Sequence, residues 1–419
     1  MTGARIGVWL LFFFFSSLLR SYSQPQKADE IKTICDKYPN EKCIALNESY
    51  TYSFAVKKKG KASAFVVKED YSGTFVTTEG YYSKVNSVFY DDYSGISAVK
   101  YKINQVPFSN FPVIYTNYES EGIFHDDIKV CAYKMDMSKG KTYEVSYTKT
   151  YNNCRLFSRI FFHNNYPVDK ATVSFEIPSW VEIEIKPVNF EGFAITQKET
   201  PNPSKKTKKI VYEISEVKAI PSESHSPNIA KFLPHLLIFI KSNSDPAAAE
   251  KYFSNPGDLY KWCKVLVDSV NNETESLKDI LTEIKKNEKD SFKVMENIFY
   301  WVQDHVRYIA FENGIMGYKP MAAKKVCNML YGDCKGMANL MKNLLKLAGY
   351  DARLTWIGTN DIPYSNELPT LAVYNHMICT AFLGGKKYFL DGTEQYIAIN
   401  DYAERIQGRP VMIENGSSY

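Results

Sequence analysis

Three residues in the C-terminal half have types suited to acyl-transfer chemistry. Cys334 opens the stretch "CKGMANLMKNLLKLAG", His376 lies in "NHMICTAFL", and Asp391 follows in "YFLDGT". A thiolate can attack a carbonyl, an imidazole can shuttle the proton, and a carboxylate can fix the imidazole tautomer. Taken alone, Cys334 has three open roles: nucleophile, inert core residue, or half of a disulfide. His376 alone reads more readily as a structural histidine. His305 is a rival base and Tyr308 a candidate oxyanion donor, both in or beside "DHVRYIAFENG".

The local pattern says how these residues would be positioned. Asp333 is a good N-cap, Gly332 permits a tight turn before it, and Gly349 is the expected left-handed stop. Between them Met337, Leu340, Met341, Leu344, Leu345 and Ala348 form one apolar helical face. Cys334 then falls at the first helical position, where unpaired N–H groups and the positive end of the helix dipole favour a thiolate. "ARLTWIGT" and "NHMICTAFL" read as strands. Gly384-Gly385 supplies the positive φ angles of a two-residue hairpin turn. That turn sets His376 opposite Thr393 and Asp391 opposite Ile378, making His376 and Asp391 diagonal neighbours about 7–8 Å apart on one face. Cys379 points to the other face, and a one-residue slip would separate the pair.

Further upstream, Phe292, Met295, Phe299, Val302 and Val306 recur at helical steps within one of three helical patterns, about 258–270, 275–286 and 288–306. From residue 47 to about 242 the chain is strand-like instead. "KTYEVSYTKTYNN" and "KATVSFEIPSWVEIEIKPV" alternate apolar with polar residues between turn signals. The expected class is α+β: an N-terminal antiparallel β-sandwich over 47–242, then helices packed on an antiparallel sheet over 243–419. Residues 1–23 have the charged, apolar and small-residue order of an export signal, leaving 24–46 as an N-terminal segment. The apolar run is short for a membrane span, and no other segment has that character.

Composition excludes little else. The chain has 419 residues, 45% hydrophobic and 23% charged, as a globular protein of two or three domains would have. Its formal charge of +4 falls to about +2 once Arg5 and Arg20 leave with the signal, which gives no footprint for nucleic acid. No Cys-x-x-Cys pair, His-Glu-x-x-His or phosphate-binding Gly-rich loop occurs, so neither a metal nor a cofactor is expected. Eight cysteines in an exported chain invite pairing, with Cys35–Cys43 and Cys131–Cys154 as the expected pairs.

The segments around Cys334, His376 and Asp391 resemble the three motifs of the transglutaminase-like superfamily, which has a papain-like fold. The resemblance covers about 259–393, and by it Cys334 matches the nucleophile, His376 the base and Asp391 the third member. It implies attack on an amide bond of a protein, peptide or cell-wall peptide, followed by hydrolysis or amine transfer. The strand-rich half is similar to an uncharacterised domain preceding such domains in exported bacterial proteins, which implies a periplasmic or extracellular location. Many relatives carry an acid where this chain has Gly336. Relatives with this N-terminal half also often continue into a further β-rich domain, so the chain reads as a shorter member or a fragment. The competing expectation is an inactive scaffold whose β domain binds peptide or glycan at the cell envelope. Oligomeric state is open.

Overall fold

A computed structural model describes residues 29–60, 62–120, 123–220, 223–224, 226–310 and 314–419. The segment read as an export signal lies outside the described residues. Among those described, no helix is long and apolar enough to cross a membrane.

The strand-rich half builds three sheets. Eight strands run in the order Thr196–Asn202, Thr207–Val217, Val168–Pro178, Cys43–Lys59, Ala62–Thr77, Tyr143–Tyr151, Ser94–Ile103 and Val106–Pro107. All neighbours are antiparallel except Cys43–Lys59 against Val168–Pro178, which corrects the expectation of purely antiparallel pairing. The chain between those two strands covers most of the half, so it can return in either direction. A three-stranded sheet orders Tyr81–Tyr90, Ile123–Ser138 and Val113–Ser120. A four-stranded one centres on His235–Asn243. One core joins all three sheets: Tyr52, Phe75 and Phe175 from the first, Met135 and Met137 from the second, Leu236 and Ile238 from the third.

In the C-terminal half, helices Pro256–Asp268, Lys278–Lys285, Ser291–His305, Ala323–Met329 and Cys334–Leu347 accompany an antiparallel sheet. Its order is Lys386–Leu390, His376–Leu383, Asp351–Ile357 and Val411–Ile413. The helix Cys334–Leu347 is central. Leu340, Met341, Leu344 and Leu345 meet Ile298, Phe299 and Val302 from the helix Ser291–His305. Cys334 and Ala338 meet Leu259, Trp356 and Met377 in a second core. Every residue from Cys334 to Leu345 is therefore buried, including Lys335, Asn339, Lys342 and Asn343, which a one-sided apolar stripe would leave in water. The buried polar groups are partnered: Lys342 Nζ lies 2.6 Å from Glu414 Oε2, and Asn339 Nδ2 donates to the Met321 carbonyl at 2.9 Å. Those partners come from distant chain segments.

The two halves share a wall. Along His235–Asn243, Leu236, Ile238 and Ile240 face the β core, while Leu237 and Phe239 enter the core that holds Cys334. Strand alternation permits this, because successive side chains point to opposite faces.

All eight cysteines are free and buried, which corrects the expected disulfides. Cys43 and Ile44 are consecutive strand residues, so they face opposite ways. Cys43 enters the main β core, while Cys35 packs with Ile44 and Val76 on the far side.

Candidate active site

Asp333 caps the central helix from an extended conformation, and its carboxylate accepts the Gly336 N–H at 2.8 Å. Its second oxygen pairs with the buried Lys335 ammonium. The approach to the cap is held by Arg307–Tyr308, which runs parallel to Tyr331–Gly332, with Ile309 N–H donating to the Gly332 carbonyl at 2.9 Å. These contacts fix the backbone on both sides of Cys334 at the helix start.

The hairpin has the anticipated register. Leu383 pairs with Lys386 and Cys379 with Leu390, around Gly384 and Gly385 with φ of 58° and 76°. Asp391 follows the last ladder pair, and its Oδ2 lies 2.8 Å from His376 Nε2. With Nε2 engaged by the carboxylate, Nδ1 is the imidazole nitrogen left to face Cys334, which lines the same cleft. Asn375, the residue before His376, is held by Thr359: its side-chain amide exchanges two hydrogen bonds of 2.9 Å with it.

Electrostatics favour a charged imidazole. Burial works against the His376 cation, but the Asp391 charge and hydrogen bonds with Asp391 and Cys334 raise its pKa to about 9. Burial likewise opposes the Asp391 anion. The His376 charge and hydrogen bond, the Thr393 hydrogen bond and the Arg405 charge outweigh it, and the pKa falls to about 2.

Cys334 and His376 line one small cleft, about 370 Å³, with Cys263, Gly317, Tyr318, Trp356, Tyr374 and Met377 among its other walls. Tyr308 is not among the lining residues; Tyr318 is the nearby tyrosine that reaches the cleft from the same upstream segment. His305 bonds back to the Trp301 carbonyl at 2.9 Å, stacks on the Trp301 ring and is not among the residues that line the cleft. Cys379 is buried under the central helix, where burial pushes its thiol up to about 12. Among the described residues, no group of three or more His, Cys, Asp or Glu could hold a metal ion.

Sequence reasoning missed Arg405 and Thr393. Arg405 Nη2 donates to Thr393 Oγ1 at 2.6 Å and to Asp391 Oδ2 at 3.2 Å, and it pairs with Glu394 Oε1 at 2.7 Å. Thr393 also donates through its hydroxyl to Asp391 Oδ1 at 2.7 Å. The Asp-x-Thr spacing is a turn signal that could have revealed Thr393. Arg405 sits in a short 3₁₀ turn, Glu404–Ile406, with no periodic signal.

Residues 278–386 match the transglutaminase-like superfamily, a span that includes Cys334 and His376 and stops just short of Asp391. No curated protein matches the sequence. A crystal structure of a candidate protease from Parabacteroides distasonis is similar over 89% of this chain and 70% of that one, with a TM-score of 0.61 and 12% identity. A candidate cysteine protease from Cytophaga hutchinsonii aligns over 81% and 79% at 9% identity, with a TM-score of 0.25. At 12% identity the first likeness establishes the shared fold alone, and the second is too distant to argue from. The central helix and the strands Asp351–Ile357 and His376–Leu383 thus lie in a segment that matches the transglutaminase-like superfamily.

Proposed function

We propose that this domain is a cysteine enzyme that cleaves or transfers acyl groups from amide bonds. Cys334 Sγ attacks the carbonyl carbon, and the resulting oxyanion is met by the Cys334 N–H at the helix start. His376 passes its proton to the leaving amine, the C–N bond breaks, and a thioester remains. Water resolves the thioester in a peptidase or amidase, and a second amine resolves it in a transglutaminase. Asp391 keeps His376 oriented and supports its positive form. The observation that carries this reading is that Cys334 and His376 line one cleft while Asp391 holds the far nitrogen of that imidazole at 2.8 Å. Aromatic and aliphatic walls favour an apolar side chain beside the scissile amide.

The wider reading is an exported protein with a signal over residues 1–23, a β-sandwich over 47–242 and the catalytic domain over 243–419, acting on peptides of the cell envelope or outside it. Alkylation of the folded protein with iodoacetamide near neutral pH tests the central claim. Cys334 should react faster than a simple thiol, and His376→Ala should remove the excess. Equal rates in both proteins would overturn the enzyme reading and leave an inactive binding scaffold.

A further inference from the structure

A second cavity lies one turn away from the catalytic cleft, at the junction of the two halves. It is an open recess of about 590 Å³ lined by Phe89, Tyr90, Asp91, Lys149, Tyr151 and Gly314, together with Ser94 and Leu156. Its wall on the catalytic side is the 3₁₀ turn Gly314–Gly317, whose last residue also lines the cleft of Cys334. Asp91 fastens this turn to the β half. Its Oδ2 accepts the Ile315 N–H at 3.1 Å, and its Oδ1 accepts the Tyr93 N–H at 2.9 Å and the Ser94 hydroxyl at 2.8 Å. A Cβ on Gly314 would sit 1.7 Å from that carboxylate, so only glycine fits the joint.

The one acid on this wall is thus consumed by hydrogen bonds, and the cation is not. Lys149 is half-buried and, among the described residues, makes no hydrogen bond or ion pair; its ammonium lies 4.8 Å from the centre of the Tyr151 ring. Glu69, directly across the strand pair, is held by the Tyr151 hydroxyl at 2.9 Å. Burial depresses the Lys149 pKa, and the Glu69 and Asp91 charges oppose that only at a distance. A partly desolvated cation without a contacting anion is costly, and an anionic ligand would relieve that cost.

We propose that this cavity binds a carboxylate, with Lys149 pairing the anion and Phe89, Tyr90 and Tyr151 receiving an aromatic or apolar body. The sources of that chemistry are a peptide C-terminus or an acidic side chain. Because one turn separates this cavity from Cys334, the ligand is a part of the substrate or product chain. That identification rests on the cysteine-enzyme reading, while the carboxylate site itself does not.

Isothermal titration of the full chain with N-acetyl-phenylalanine and N-acetyl-phenylalaninamide tests the site. The acid should bind about tenfold tighter than the amide, the difference expected of one charge-assisted contact. The preference should persist in Lys149→Arg and vanish in Lys149→Met. N-acetyl-glutamyl-phenylalaninamide, with its acid on a side chain, separates the two sources: whichever acid binds tighter names the ligand. Should Lys149→Met not fold, ¹³C-methylation of the lysines supplies a second reading, since the Lys149 signal, missing in Lys149→Arg, should shift with an acid and not with the amide. Equal binding of acid and amide, no binding of any probe at millimolar concentration, or a preference that survives Lys149→Met would overturn the proposal. The alkylation rate of Cys334, measured on the same samples, reports separately on the enzyme reading.

Discussion

Asp391 accepts hydrogen bonds from His376, Thr393 and Arg405, so its charge is divided between an imidazole, which can release its proton, and a guanidinium, which keeps its own. The Asp391 anion and the Arg405 cation should therefore have opposite effects on His376. Asp391→Asn removes the anion that raises His376 to about 9, so an imidazole titration by NMR should find it displaced toward the ordinary 6.5. Arg405→Met removes a like charge 3.5 Å from Nε2, and the same titration should move upward. In the amide reaction the alkaline limb of the rate profile should follow each shift, because the leaving amine takes its proton from the imidazolium. Stability follows the same logic. His376 has a folded pKa above its unfolded value, so its contribution is complete below about 6.5 and is lost as pH rises through about 9. Asp391, depressed to about 2, contributes above about 3.8 and loses that contribution only as pH falls through about 2. Urea midpoints of the native protein and of His376→Ala should consequently converge at alkaline pH. A gap that stays constant from pH 6 to 10 would contradict this account.

At the scale of elements, the central helix and the hairpin make different demands on glycine. A Cβ on Gly336 would come 3.1 Å from Val326 Cγ2, 3.3 Å from Met321 Cβ and 3.4 Å from Asp333 Oδ1. Gly336→Asp would also place a second carboxylate beside the buried Asp333. It should destabilise the fold by roughly 1–3 kcal/mol, as overpacking does, and slow Cys334 alkylation by disturbing the cap; urea unfolding and the alkylation rate read the two effects. Gly385→Ala meets nothing within 4 Å, so only the positive φ of 76° is at stake. Its cost should be about 1–2 kcal/mol with Cys334 reactivity unchanged. Both elements were legible in the sequence because their signals are local. The Asp333 cap, the Gly349 stop and the two-glycine turn each depend on residues a few positions apart, and the hairpin register then sets Asp391 beside His376. Long-range partners left no such trace. Nothing in "DYAERIQG" announces that Arg405 reaches Asp391, and the polar residues of the central helix look solvated until Glu414 and Met321 arrive to bury them. Cysteine count suggested disulfides for a similar reason, since it cannot tell which face of a strand each thiol occupies.

At the scale of the whole molecule, the strand His235–Asn243 decides whether the two halves are independent. Leu236, Ile238 and Ile240 belong to the β core, while Leu237 and Phe239 pack with Leu259, Cys334 and Ala338. His235, at the strand's start, adds a polar tie: its Nε2 lies 2.6 Å from the Tyr364 hydroxyl, and its ring stacks on Phe161 at 4.7 Å. A strand whose alternate residues serve two cores cannot leave one without exposing apolar surface of the other. Unfolding should accordingly be a single transition that both faces of the strand control. Phe239→Ala deletes a side chain from the core that holds Cys334 and should cost about 3–5 kcal/mol, and Ile238→Ala deletes one from the β core and should cost about 2–5 kcal/mol. Calorimetry would report whether each substitution lowers the same transition. Nitration of Tyr143 and Tyr212, both buried in the β core, and protection of Cys334 from alkylation would follow its two sides. Coincident curves in the native protein, displaced together by either substitution, are the expected outcome. Separate transitions, with Phe239→Ala moving only Cys334 protection and Ile238→Ala only the tyrosine signal, would show two autonomous domains and would remove the mechanical basis for coupling the Lys149 cavity to the catalytic cleft.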